Sequence, residues 1–163
     1  MKTIIGVVDY EVGNQFSLIS ALKSNNCKVI LSKFSDELDE AEILVLPGVG
    51  AFKTAIENLR KNKIFDYLKK KSDEKKPIIG ICLGMQLLAT DSFENGYHKG
   101  LDIIPGRILP LKKTNIGWAK ILGSKKHFKK LKIDKKYFYF NHGFYFHGQK
   151  SYTLSVIEDN KKC

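Results

Sequence analysis

Cys82 lies in the run Pro77-Ile78-Ile79-Gly80-Ile81-Cys82-Leu83-Gly84-Met85-Gln86-Leu87-Leu88, and its neighbours suit it to covalent chemistry. Pro77 to Ile81 reads as a short buried strand, and the residues from Leu83 onward have helical spacing. A cysteine at such a junction, between Gly80 and Gly84, makes a G-x-C-x-G nucleophile elbow, the thiol counterpart of the hydrolase G-x-S-x-G. A strand that turns sharply into a helix holds its nucleophile in strained backbone, and flanking side chains would collide there, which explains the glycines. The helix start supplies a positive dipole end beside the sulfur and free N–H groups that can receive an oxyanion. A thiol so placed attacks an acyl carbon and forms a thioester. The competing reading is a buried structural cysteine after a core strand, since cysteine is often fully buried.

A second loop has the complementary property. Pro47-Gly48-Val49-Gly50 follows the apolar run Ile43 to Leu46. In an open parallel sheet the functional loops gather at the C-terminal ends of the strands. Two glycines there allow the backbone to flip and expose N–H groups, as an oxyanion hole requires. Taken alone this is an ordinary tight turn; its meaning comes from occurring together with the cysteine elbow. Gln86 stands one helical turn after Cys82 and can project toward the same pocket. Glu94 lies just beyond the elbow helix, where a carboxylate could bind a substrate amino group.

These residues need elements to position them. The 163 residues and 43% hydrophobic content fit one domain with a sizeable core, spanning 1–163. Thr3 to Val8, Lys28 to Leu31, Ile43 to Leu46 and Pro77 to Ile81 read as strands. Gly13 to Ser24, Phe52 to Lys71 with a break near Asn62, and Leu83 to Ala89 read as helices. Strands alternating with helices predict a parallel sheet covered on both faces. The second half changes character: Leu101 to Leu122 is punctuated by Pro105, Gly106, Pro110 and Gly117, and Tyr137 to Phe146 is strongly aromatic. Both segments predict shorter strands, forming an antiparallel extension of the sheet.

Composition narrows the classes further. Three cysteines, Cys27, Cys82 and Cys163, are too few and too scattered for a disulfide framework or a zinc site, and no metal or other cofactor is expected. No apolar run reaches the roughly 18 residues a membrane helix needs, and the N-terminus turns polar too early for a signal peptide, so a cytoplasmic protein is expected. The formal charge of +11 comes almost wholly from lysine, with arginine only at Arg60 and Arg107. Nucleic-acid sites favour arginine, and solvated helix faces account for the lysine runs, so no nucleic-acid partner is expected.

The combination of Pro47-Gly48-Val49-Gly50 with Gly80-Ile81-Cys82-Leu83-Gly84-Met85-Gln86 resembles the class I, or triad, glutamine amidotransferases. Asp9-Tyr10 with Gly13-Asn14, Pro105-Gly106, Ile116-Gly117-Trp118 and Tyr139-Phe140-Asn141-His142 extend the resemblance to the glutaminase subunits of imidazole glycerol phosphate synthases, in order from residue 3 to about 146. The resemblance implies a flavodoxin-like α/β fold, an open and mostly parallel sheet with helices on both faces. It implies that Cys82 attacks the side-chain amide of glutamine, releasing ammonia and then glutamate. It implies an oxyanion site at Gly48, Val49, Gly50 and Leu83, and glutamine contacts at Gln86, Glu94, His142 and Gly143. Ammonia would pass to a (βα)8-barrel synthase subunit in a heterodimer, with Asn14 and Trp118 toward that partner, in histidine biosynthesis.

Departures accompany the likeness. Glu11 stands where the family usually has glycine, Gln15 replaces a leucine, and Asn115 and Ala119 replace the histidine and asparagine that flank the I-G-W segment. Gly143-Phe144 replaces a hydroxyl residue followed by tyrosine. The family's F-H-P-E strand, which carries the triad histidine and glutamate, has no counterpart among His98, His127, His142 and His147. The fold would then lack its C-terminal unit, on the order of 30–40 residues, and a chain so truncated would not turn over glutamine even with its partner. Two other readings share these motifs: a paralogous amidotransferase for amidino sugars of surface polysaccharides, and a non-catalytic docking subunit.

Overall fold

The computed structural model describes residues 2–13, 15–123, 129, 137–153 and 155–157. Strands β1 (Ile4–Val8), β2 (Lys28–Ser32), β3 (Ile43–Leu46) and β4 (Ile78–Gly80) form a sheet in the order β2-β1-β3-β4. Every neighbouring pair in it is parallel. Period-two alternation divides its faces. Val7 and Val45 turn to one side, against Leu18, Ile19 and Leu22 of helix α1 (Phe16–Ser24). Val8, Leu44 and Leu46 turn to the other, into the main core. Gly6 shares that second face because a Cβ there would stand 2.9 Å from the Ala41 Cβ and 3.1 Å from Leu38 of helix α2 (Ser35–Asp39).

The main core is closed by helices α3 (Phe52–Lys61) and α4 (Ile64–Asp73). Phe52, Ala55, Ile56 and Leu59 recur at helical spacing and are all buried. The break expected near Asn62 occurs there, with Lys63 in the left-handed region at φ 58°. The chain then re-enters a helix whose Phe65 ring receives the Arg60 guanidinium at 3.9 Å. The first helix starts at Phe16 rather than Gly13. Helix α5 (Leu83–Leu87) is shorter than the sequence spacing predicts, because Ala89 already opens strand β5 (Ala89–Ser92).

The second half corrects the expectation of short strands extending one sheet. β5, β6 (His98–Lys99), β7 (Ile104–Gly123) and β8 (Tyr137–Gly148) form a separate sheet in the order β6-β5-β7-β8. Strand β9 (Ser155–Ile157) pairs with the far end of β7. The β5–β7 pair is parallel, and β7–β8 is antiparallel. β7 is one strand of 20 residues. The proline and glycine punctuation marks irregularities within it rather than its ends. Pro110 faces Phe144 and Asn115 faces His142, so Leu111 to Thr114 bulge out opposite Gly143 alone. A proline with no N–H to give the ladder is tolerated at such a bulge.

Among the described residues β4 pairs only with β3. Ile79 is 49% exposed and Ile81 41%, so the outer margin of the sheet beside Cys82 is uncovered. No described helix is long and apolar enough to cross a membrane.

Candidate active site

Cys82 adopts φ 53° and ψ −114°, a conformation that costs a non-glycine residue about 1–3 kcal/mol. Its surroundings leave no alternative. A Cβ on Gly84 would collide with the Leu46 carbonyl oxygen and lie 2.9 Å from that of Pro47. One on Gly80 would lie 2.6 Å from the Met85 nitrogen. The Ile81 N–H donates to Leu46 O at 2.9 Å, the Gly84 N–H to Ile81 O at 3.0 Å and the Gln86 N–H to Cys82 O at 3.1 Å, which pins the turn on both sides. The thiol therefore projects from a fixed elbow, and Cys82 is exposed.

Of the oxyanion candidates in the second loop, Gly48 packs directly against this elbow. Gly48 has no room for a side chain, because a Cβ would collide with the Tyr10 hydroxyl and stand 3.2 Å from the Leu83 Cβ. Gly50 takes φ 131°, and its Cβ would sit 3.2 Å from Val12. Gly13, at φ 94°, brings its backbone so near Val49 that a Cβ would lie 2.8 Å from the Val49 nitrogen. Val49 is 58% exposed. Leu83 sinks its side chain into the core and begins the helix that follows the nucleophile. Gly48 thus packs against Leu83 and Gly84 of the elbow, whereas Val49 approaches Gly13 and Gly50 approaches Val12.

Gln86 is buried one turn along α5. Glu94 sits on the turn after β5, and its carboxylate accepts the Phe52 N–H at 3.2 Å. It therefore caps the start of α3, which has no cap from its own N-cap residue, Ala51. His142 lies on β8 opposite Asn115. Its Nδ1 faces the Phe144 carbonyl at 2.8 Å and its Nε2 faces the Asn115 amide nitrogen at 3.1 Å. A carbonyl can only accept, so Nδ1 carries the proton and Nε2 accepts from Asn115. Both nitrogens are thereby engaged, and His142 ties the two strands at the bulge. At Gly143 a Cβ would meet only Thr114 Oγ1, at 3.7 Å. Trp118 is 73% exposed on β7. Asn14 lies outside the described residues.

Sequence reasoning passed over Tyr10 as an individual residue. It is fully buried at the end of β1, and its hydroxyl donates to the Pro47 carbonyl. Burial, and after it the negative charge of a Cys82 thiolate, raises the phenol well above its ordinary pKa, so the donor keeps its proton. Its signals in the sequence are its place in the Asp9-Tyr10 pair that carries the family resemblance and one aromatic residue just after an aliphatic strand.

The loop from Asp9 to Gln15 carries the departure at Glu11, which sits at φ 61°. Asp9 Oδ1 accepts the Glu11 N–H at 3.1 Å and the Gln15 side-chain amide at 3.0 Å. The Glu11–Lys33 pair, at 3.9 Å and half exposed, contributes little. Relief of the left-handed strain should outweigh it, so Glu11→Gly is expected to stabilise the fold by about 0.5–1 kcal/mol. Urea unfolding midpoints of the two chains check this, and a lower midpoint for the variant contradicts it.

A groove of about 360 Å³ beside α3, lined by Lys53, Arg60, Tyr97 and Lys99 among others, does not include Cys82. We place the site at the elbow rather than there, because strain, glycine packing and converging backbone loops coincide only at the elbow.

The family model for class-I glutamine amidotransferases matches residues 6–162. The imidazole glycerol phosphate synthase subunit HisH of Carboxydothermus hydrogenoformans is 37% identical, over 96% of this chain and 81% of its own. HisH of Caldanaerobacter subterraneus is 40% identical over 95% and 79%, and that of Bacillus subtilis 33% over 96% and 78%. The fold is similar to that of PurLQS from Thermotoga maritima, with a TM-score of 0.67 at 21% identity over 98% of this chain and 76% of that one. A glutamine amidotransferase from the same organism gives 0.58 at 17% identity over 89% and 62%. With a matching family model over nearly its whole length and relatives this similar, the chain belongs to the class-I glutamine amidotransferase family.

Proposed function

We propose that this chain is the glutamine-hydrolysing subunit of an imidazole glycerol phosphate synthase, supplying ammonia to a (βα)8-barrel partner in histidine biosynthesis. The observation that carries the reading is the elbow: a strained, exposed Cys82 locked against the Pro47–Gly50 loop. The HisH relatives support the choice of pathway.

In this reading Cys82 Sγ attacks the side-chain amide carbon of glutamine. The C–S bond forms as the carbonyl electrons move to oxygen, and the amides of Gly48, Val49, Gly50 and Leu83 receive that oxyanion. Collapse breaks the C–N bond, and the proton given up by the thiol passes to the nitrogen, which leaves as ammonia. Water then attacks the thioester, yielding glutamate and the free thiol. Gln86 and Glu94 hold glutamine, and the backbone segment around His142 and Gly143 clasps its amino-acid end. The cytoplasm suits this chemistry, because a free thiol stays reduced there.

Trapping the intermediate tests the proposal. The chain is mixed with a synthase barrel and glutamine, quenched in acid, and mapped by peptide mass. A glutamyl group on the Cys82 peptide, with glutamate and ammonia released, is the expected result, and it would overturn the expectation that a chain without the F-H-P-E strand does not turn over glutamine. Turnover with the acyl group on Cys27, or no adduct and no turnover, overturns it.

The partner surface has its own support. Ile116 and Trp118 of β7 stand opposite Asn141 and Tyr139 of β8, and Trp118 packs edge-on to Tyr139 with centroids 5.9 Å apart. Ile116, Trp118, Tyr137 and Tyr139 are each more than half exposed. An exposed aromatic cluster of this kind is typical of interface anchors. Trp118→Ala should weaken barrel binding by at least about 2 kcal/mol, some 30-fold in Kd, while thermal stability barely moves. Calorimetric titration of one subunit into the other measures it, and an unchanged Kd moves the interface elsewhere.

A further inference from the structure

We propose that Tyr10 is a positioning residue for the oxyanion loop: its hydroxyl fixes the Pro47–Gly48 peptide against the elbow and so holds the following amides in register with Cys82. The inference rests on the glutaminase reading above. Three elements meet at the Pro47 carbonyl. Tyr10, at the end of β1, donates its hydroxyl to it. Gly84, at the start of α5, lies so close that a Cβ would come within 2.9 Å of the same oxygen. Gly48 fits beneath the Tyr10 hydroxyl only because it has no side chain.

A peptide group is planar and trans, so fixing its carbonyl also fixes its N–H, pointing the opposite way. The Tyr10 hydrogen bond thereby sets the plane of the Pro47–Gly48 peptide and the direction in which the chain enters Val49 and Gly50. Glycines flanking Val49 would otherwise let those peptides rotate freely. Tyr10 is fully buried and its hydroxyl keeps its proton, so the donor does not change over the working pH range. Tyr10 does not touch the substrate carbonyl in this account; it acts through the loop.

The test compares two reagents on Cys82 in the complex with a synthase barrel. A glutamine-analogue chloroketone presents a carbonyl whose oxygen needs the oxyanion loop, whereas iodoacetamide alkylates the thiol by direct displacement and does not. Tyr10→Phe should slow inactivation by the chloroketone about 10-fold or more and leave iodoacetamide alkylation within twofold. It should lower kcat for glutamine by a similar factor with KM nearly unchanged. 4-Fluorophenylalanine at position 10 keeps the ring volume and removes the donor, so it should reproduce the effect even if Tyr10→Phe folds poorly. Equal slowing with both reagents, or slowing with neither, overturns the proposal while leaving the glutaminase reading in place. A wild-type complex that the chloroketone does not inactivate at all sinks that reading, and this inference with it.

Discussion

Replacing Cys82 with alanine should reduce glutamate release by about 10⁶-fold, the scale on which a covalent mechanism fails when its nucleophile is lost. The prediction is this large because nothing else at the elbow can form the thioester. Cys27 is partly buried beside α1, packed with Ile5, Val7 and Val45 on the opposite face of the sheet. The fold should not suffer, because Cys82 is exposed and its conformation is enforced by neighbours that remain. Glutamate release assayed with the partner present, together with binding of that partner, separates chemistry from assembly. Residual turnover above about one part in 10⁴ would show that another group performs the attack.

Gly84→Ala should be the most disruptive single-methyl change at the site. Its Cβ would meet backbone, the Leu46 carbonyl and the Pro47 oxygen, just after the buried end of β3. Backbone at that depth cannot swing aside as a flexible side chain can, so helix α5 has to lift. Overpacking of this kind costs about 3 kcal/mol, at the upper end of the usual range. Lifting α5 also carries Cys82 with it, and a displacement of roughly 1 Å is enough to lose about 100-fold in rate. Gly143→Ala serves as the comparison: its added Cβ finds only Thr114 Oγ1 at 3.7 Å, and stability should change by less than about 0.5 kcal/mol. Urea midpoints for both variants decide it. Equal losses would mean that the elbow glycine carries no special packing demand.

These glycines explain why the centre of the site was legible in the sequence. The spacing Gly80, Cys82, Gly84 encodes a local collision problem, and local problems leave local patterns. The four strands of the parallel sheet and the break after Lys61 were legible for a local reason too, since β1 and β3 are short, near-continuous apolar runs buried on both faces and α3 buries residues at helical spacing. The long β7 strand was not. Its Pro105, Gly106, Pro110 and Gly117 mimic strand ends, and only pairing with β8 reveals a bulged but continuous ladder. Glu94 was legible as a carboxylate near the elbow, whereas its bond to Phe52, 42 residues away, was not. Tyr10 shows the same limit: its partner Pro47 is 37 residues distant, and nothing in the intervening chain announces the meeting.

That last distance bears on how the protein is made. Tyr10, Pro47 and Gly84 follow β1, β3 and β4, neighbouring strands of the sheet, each 37 residues from the next, and no shorter stretch of chain brings any two of them together. Loop closures of this length are slow relative to helix formation, and parallel pairing cannot begin with a hairpin. A half-made chain can possess its helices and still have an ordinary cysteine at position 82. The rapid, glutamine-like reactivity of that thiol should therefore arise only with the final cooperative step of folding, which makes it a chemical clock for the moment the native topology closes.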